Sequence, residues 1–321
     1  MPPDARYPHT PLKELDPDGI GTYSIHDRKS KVSVAQGARE IPAGAPFARW
    51  LGSLPDVLAA QDLKLAAKAM NRARAGGAGI LLGMGAHPVK VGLGQIIAAA
   101  VADGIFTGIA TNGAAVIHDY ELALTGRTSE DVGASLAEGT FGMAEETASN
   151  INRVITEAAS SGEGIGIAVG RLIAENDLPY ADHSIFAAAY RNRIPATVHV
   201  AIGTDIIHMH PSCDGAATGK ASMDDFRLFA RQVAALEKGV FINLGSAVII
   251  PEVFLKACSL ALNLGYSLEG LTTVNMDFVQ HYRPGVNVTG RPTEAWGRGI
   301  SLTGHHEIMF PLLLAAVRDL D

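Results

Sequence analysis

The feature that most limits how this chain can fold is an alternation. Short apolar runs that end in small or polar residues are interleaved with segments whose apolar residues recur at helical spacing. Strand-like runs fall near 79–83, 106–111, 196–202, 240–244 and 271–276, and helical patterns near 92–103, 129–137, 143–160, 183–192, 223–238, 252–264 and 307–319. Such a sequence predicts an α/β fold, a Rossmann-like parallel sheet with helices on both faces. Gly79-Ile80-Leu81-Leu82-Gly83 is apolar at every position, as a strand covered on both sides must be. Ser53 is expected to cap a helix that Gly76-Gly77 stops, Ser222 to start another, and Pro251 to sit in the first turn of a third. The expected organisation is an arm over residues 1–50, with a hairpin pairing Thr22–Ile25 with Lys31–Val34, and a single α/β domain over 51–321.

Composition closes off several functions. The 321 residues are 47 % hydrophobic, enough for one large core, and the net charge of −7 without a basic run argues against a nucleic-acid binder. Two cysteines, Cys213 and Cys258, suit a reducing cytoplasm better than a disulfide framework. No apolar stretch reaches the length of a membrane span, and no signal peptide is readable, so a cytoplasmic protein is expected.

In open α/β sheets, ligands gather beyond the carboxyl ends of the strands. Small residues there let a dinucleotide approach backbone N–H groups, and the following helix N-termini favour phosphate. Gly85, Ala86 and His87, then Thr111, Asn112 and Gly113, then Asp205, then Gly245 and Ser246 occupy such ends. Gly83-x-Gly85 is the first half of a dinucleotide fingerprint. His118-Asp119 reads either as an acid/base pair or as a helix first turn in which Asp119 offsets the dipole. His208-Met209-His210 puts two imidazoles on one side of extended backbone. With His305 that pattern suits a metal-dependent hydrolase, although such histidines more often hydrogen-bond or shuttle protons, and no metal is assigned. Glu294 and Trp296 together suit a cation, the carboxylate by charge and the indole by its ring face. Lys256 reads as a surface lysine.

Several of these pieces carry a resemblance in common. Gly290-Arg291-Pro292-Thr293-Glu294-Ala295-Trp296-Gly297-Arg298 resembles the Arg-Pro-Asp-Glu-Ala…Trp-Gly-Lys signature of the deoxyhypusine synthase family. Gly108–Ala115, Ile194-Pro195 with Ala201–Asp205, and Phe241–Val248 are similar to three further stretches of that family, in the same order. The resemblance implies that Ala86, His87, Thr111 and Asp205 meet NAD, and that Glu294 and Trp296 line a substrate pocket with Asp205 and His210. It also implies a homotetramer with sites between subunits. The family's nucleophilic lysine is Arg298 here. A guanidinium keeps its charge and is a poor nucleophile, so the covalent step cannot run through this position, whereas the fork of Arg298 suits a carboxylate. His210 stands where the family has an acid. The expected protein is therefore NAD-dependent with altered chemistry, acting on a small amine- or carboxylate-bearing substrate, with His118 or His210 handling protons. A scaffold that binds an active paralogue is the remaining alternative.

Overall fold

A computed structural model describes residues 15–319. The chain divides after Gly37. Among the described residues of the first unit there is no strand. Three short 3-10 turns, Pro17–Gly19, Ile25–Asp27 and Val34–Gln36, stand where a hairpin was expected. The cause is local: Ser24 Oγ accepts His26 N–H at 3.2 Å and Gln36 Oε1 accepts Ser33 N–H at 3.0 Å, so side chains take donors that a ladder would have used.

The second unit holds six parallel strands: β1 (Ile80–Met84), β2 (Gly108–Asn112), β3 (Ala196–His199), β4 (Val240–Leu244), β5 (Thr272–Asp277) and β6 (Arg298–Thr303). Their order across the sheet is β3-β2-β1-β4-β5-β6, so the winding direction reverses between β1 and β4. The connecting helices among the described residues are α1 (Phe47–Ser53), α2 (Leu58–Ala75), α3 (His87–Lys90), α4 (Gly94–Ala102), α5 (Gly113–Thr125), α6 (Val132–Glu138), α7 (Glu145–Ser161), α8 (Ile165–Glu175), α9 (Ile185–Arg191), α10 (Gly215–Val233), α11 (Ile249–Asn263), α12 (Tyr282–Asn287) and α13 (His306–Asp319). No described helix is long and apolar enough to cross a membrane.

Strand side chains alternate between two cores. Ile80, Leu82 and Met84 of β1 join Ile242 and Leu244 of β4 on one face, which also holds α2 and α13 residues such as Met70 and Phe310. Leu81 and Phe241 turn to the other face, with Phe229 of α10 and Phe254 of α11. Phe241 and Phe254 stack there with ring centroids 3.7 Å apart. Both faces are covered, which is why the central strands read as unbroken apolar runs.

Several helix starts differ from expectation. Ser53 ends α1, which packs Leu51 into the core, and α2 begins only at Leu58; the Gly76 stop is as expected. α10 starts at Gly215, capped by Asp214, not at Ser222. α8 carries Gly166 and Gly170, weak helix formers that hide it in the sequence. Both glycines are close-approach positions: a Cβ on Gly166 would run into Ala196 O of β3, and one on Gly170 would lie 2.7 Å from Phe186 O of α9.

Candidate active site

β2 ends at Asn112, whose Oδ1 accepts Ala115 N–H at 3.2 Å and so starts α5. α5 carries His118 and Glu121 to a cavity of about 510 Å³ that Lys90, Arg127, Glu130 and Asp205 also line. The Thr128 hydroxyl links the two α5 side chains, 2.6 Å from His118 Nδ1 and 2.5 Å from Glu121 Oε2. A carboxylate only accepts, so the hydroxyl donates to Glu121 and its oxygen accepts from His118 Nδ1–H. That inference puts the proton on Nδ1 and leaves Nε2 an unprotonated acceptor with no partner among the described residues. Burial, assisted by the Lys90 charge, pushes the His118 imidazole down to about 4, so the ring is neutral near pH 7.

The charges around this ring are unequally spent. Glu121 also accepts from Thr147 Oγ1 at 3.1 Å, and Glu130 accepts Gly142 N–H at 2.8 Å. The side chains of Lys90 and Arg127 make no ion pair or hydrogen bond among the described residues. The lining therefore carries mixed charge, and Lys90 and Arg127 are the groups in it suited to a carboxylate or phosphate.

The winding direction reverses between β1 and β4, and ligand crevices form at the carboxyl ends of strands at such reversals. Gly85 N–H donates to Leu244 O at 3.1 Å, and a Cβ on Gly85 would stand 2.6 Å from Gly245 O. Gly83 serves the core instead, since its Cβ would meet Ile250 Cγ2 at 2.6 Å and Phe241 Cζ at 2.7 Å. The half-fingerprint thus splits into one packing glycine and one crevice glycine.

The residues here fit a dinucleotide in specific respects. Thr111 Oγ1 is buried without a partner. The backbone N–H groups of Ser246 and Ala247 have no acceptor among the described residues. The Asp205 carboxylate, raised above its usual range by burial, lies against Gly113 where a ribose hydroxyl could donate to it. The Asn112 and Ser246 side chains are already engaged as helix caps, Ser246 Oγ accepting Ile250 N–H at 3.2 Å.

Other expected residues fall elsewhere. Asp119 is not in the first turn of α5. It is buried, and it accepts from Ser184 Oγ at 2.5 Å, Ile185 N–H at 2.9 Å and Phe186 N–H at 3.3 Å, capping α9. Burial pushes its carboxyl up to about 6 against those bonds. It faces the interior while His118 lines the cavity, so the two do not act as a pair. His210 has both ring nitrogens engaged, Nδ1 2.7 Å from Ser212 Oγ and Nε2 3.1 Å from Glu145 Oε2. His208 Nδ1 accepts Gly203 and Asp205 N–H. His305 stacks on Phe278, and no three His, Cys, Asp or Glu side chains among the described residues converge to hold a metal. Lys256 pairs with Glu252 on the surface of α11.

Glu294, Trp296 and Arg298 lie at the opposite end of the sheet. Arg298 opens β6, its N–H bonded to Leu271 O at 2.9 Å, and Gly270 N–H donates to Trp296 O. Both contacts are at the amino end of β5, five residue steps (roughly 17 Å at 3.3 Å each) from the carboxyl end. Within one chain these three do not meet His118, Asp205 or the β1–β4 crevice. Sequence reasoning passed over Lys90, Glu121, Arg127 and Thr128. Glu121 was findable, because three residues after His118 it shares that residue's helix face.

No family model matches the chain, and no curated protein matches it. Solved structures do. A conserved protein of Methanococcus maripaludis S2 described as LOR/SDH superposes with a TM-score of 0.51 at 18 % identity, over 94 % of this chain and 76 % of its own. A protein of Entamoeba histolytica described as a deoxyhypusine synthase gives 0.52 at 13 %, over 88 % and 96 %. AgrE, in its ternary complex with ornithine and NAD+, gives 0.52 at 14 %, over 82 % of this chain but 34 % of AgrE, so this chain corresponds to about a third of that protein. At these identities the likeness is one of fold: the parallel, doubly covered sheet expected from the sequence.

Proposed function

We propose that this chain is an NAD-dependent enzyme of deoxyhypusine synthase-like fold that acts on a small substrate bearing an amine and a carboxylate. The observation that carries the reading is the cavity lined by Lys90 of α3, His118 and Glu121 of α5, and Asp205. There a neutral His118 of defined tautomer shares the lining with two cations, Lys90 and Arg127, whose side chains make no ion pair among the described residues. NAD supplies a hydride acceptor. Thr111, Asp205 and the Ser246–Ala247 backbone would hold it, and its diphosphate would lie over the glycine turn at 245. The substrate carboxylate pairs with Lys90 or Arg127, which leaves its amine directed towards the β1–β4 crevice. AgrE, which shares the fold, binds ornithine together with NAD+, a ligand with both groups. With guanidinium at Arg298, oxidoreduction fits better than transfer through a lysine adduct.

Assembly as a homotetramer belongs to the same proposal. A second copy is the means by which Glu294, Trp296 and Arg298 of one chain reach the cavity of another. The test is direct. Purified protein is titrated with NADH by fluorescence, then given NAD with single amino acids and polyamines while NADH formation is followed. NADH binding with turnover of an amino acid supports the proposal; absence of both with every compound leaves the scaffold alternative in its place.

A further inference from the structure

His87, expected to meet NAD, makes a contact that such a role does not use. Its Nδ1 stands 2.9 Å from Nδ1 of His306, and His306 Nε2 is 3.4 Å from Asp277 Oδ1. His306 and Asp277 are buried; His87 is exposed. The three side chains come from the carboxyl ends of β1, β6 and β5, with Asp277 the last residue of β5 and His306 the first of α13. The His306 ring lies against Gly245, where a Cβ would sit 2.6 Å from Cε1. Phe278 braces both imidazoles, its centroid 5.7 Å from each.

The proton positions follow from the partners. Asp277 already accepts Phe278 N–H at 2.8 Å and can only accept, so the His306 nitrogen facing it, Nε2, carries hydrogen. Neutral His306 then has its lone pair on Nδ1, and His87 must donate Nδ1–H to it. His87 Nε2 is left an unprotonated base with no partner among the described residues.

We propose that Asp277, His306 and His87 form a proton relay opening on the β1–β4 crevice, in which His87 takes the proton that a substrate releases. The proposal rests on the NAD-dependent reading above. When a carbon bearing N–H or O–H is oxidised, its C–H electron pair leaves as hydride to NAD+, and the N–H or O–H proton goes to His87 Nε2. A C=N or C=O bond forms. His87 Nδ1–H passes to His306 Nδ1, and the positive charge comes to rest beside Asp277. The 3.4 Å separation at Asp277 is longer than a formed hydrogen bond, and it closes once His306 is charged.

The surrounding charges are mixed. Burial and then His306 hold the His87 imidazole below its usual range, Lys90 adds to this, and Glu307 and Asp277 oppose it. The N-terminus of α13 works against charge on His306. Asp277 would be raised by its own burial, but His306 and the backbone N–H groups of Val279 and Phe278 outweigh that and hold it low. A carboxylate therefore backs His306 across the working pH range. His118, pushed to about 4, is the weaker proton acceptor.

The test reads protonation apart from turnover. Imidazole carbon-bound protons of His87 and His306 are followed by NMR against pH in wild type, Asp277→Asn and His87→Gln, with NADH binding and pH–rate profiles on the same samples. Shared protonation predicts that both rings move with one midpoint in wild type. Asp277→Asn lowers that midpoint by about one unit, a tenfold change in proton affinity, and shifts the acid limb of the rate profile equally. His87→Gln, at an exposed site, retains the fold and loses about 100-fold or more in rate. Separate midpoints, or one unmoved by Asp277→Asn while NADH still binds, overturn the relay and leave the cofactor reading standing. Absent NADH binding in wild type overturns the cofactor reading and the catalytic assignment of His87 with it.

Discussion

Asp225 offers the sharpest test of how this fold is held. Its carboxylate, buried on α10, accepts Val198 N–H of β3 at 2.8 Å and Gly166 N–H of α8 at 3.1 Å, while Oδ1 has no partner. One side chain thus ties an edge strand to the first turn of a helix. Burial pushes its carboxyl from 3.8 up to about 7 against those hydrogen bonds. A folded-state value above the unfolded one means the folded protein holds the extra proton. The associated stability is fully present below about pH 3.8 and is lost as pH rises to about 7. The difference of about three units, at 1.36 kcal/mol each, amounts to roughly 4 kcal/mol. Asp225→Asn abolishes the titration. With its oxygen at the Oδ2 position the Asn side chain keeps both N–H bonds and places NH2 where Oδ1 has no partner, so its own effect is independent of pH. Between pH 5 and pH 8 the wild-type unfolding free energy should fall by roughly 2.7 kcal/mol relative to the variant, the two units from pH 5 to about 7 at 1.36 kcal/mol each. Urea unfolding of both proteins at the two pH values measures this. His199, held down to about 3 by burial, and His118 titrate in the opposite sense over the same range, but their contributions cancel in the wild-type/variant difference. A gap of equal size at both pH values refutes the argument.

Three further outcomes are expected. Gly83→Ala, which drives a methyl group into Ile250 and Phe241, should destabilise by about 1–3 kcal/mol in urea unfolding while leaving the crevice glycine in place. Thr128→Val strands His118 Nδ1–H without an acceptor; it should cost about 1–3 kcal/mol in stability and lower turnover without abolishing NADH binding, as fluorescence titration would show. Dialysis against a chelator should leave both the thermal midpoint and NADH affinity unchanged, because no three His, Cys, Asp or Glu side chains among the described residues converge and His210 is held by Ser212 and Glu145; a fall in either would revive a metal role for His208 and His210.

The sheet was legible where burial on both faces writes itself into composition, as in β1, β4 and β5. β6 was not, because an edge strand with the exposure pattern of Arg298–Thr303 alternates, and its Arg, Gly and Ser residues read as turn. α8 and α5 were hidden for different reasons, the first by glycines needed for close packing and the second by the glycine and small residues of the strand end it follows. The places of Gly85, Thr111 and Gly245 at or beside strand ends were readable from where small and polar residues interrupt apolar runs. The roles of Asn112 and Ser246 as caps, and of Asp119 as an anchor for α9, depend on partners outside any local window.

By itself the sequence determined the architecture: alternating patterns allow few arrangements other than a covered parallel sheet, and each pattern is set within a few neighbouring residues. Tertiary structure alone decided which residues share a site. The direction of β6 carries Glu294, Trp296 and Arg298 to the amino end of the sheet, and the strand order brings His87 to His306, 219 positions later in the chain. Strand order and direction are settled by packing between segments far apart in sequence, and no local periodicity encodes them.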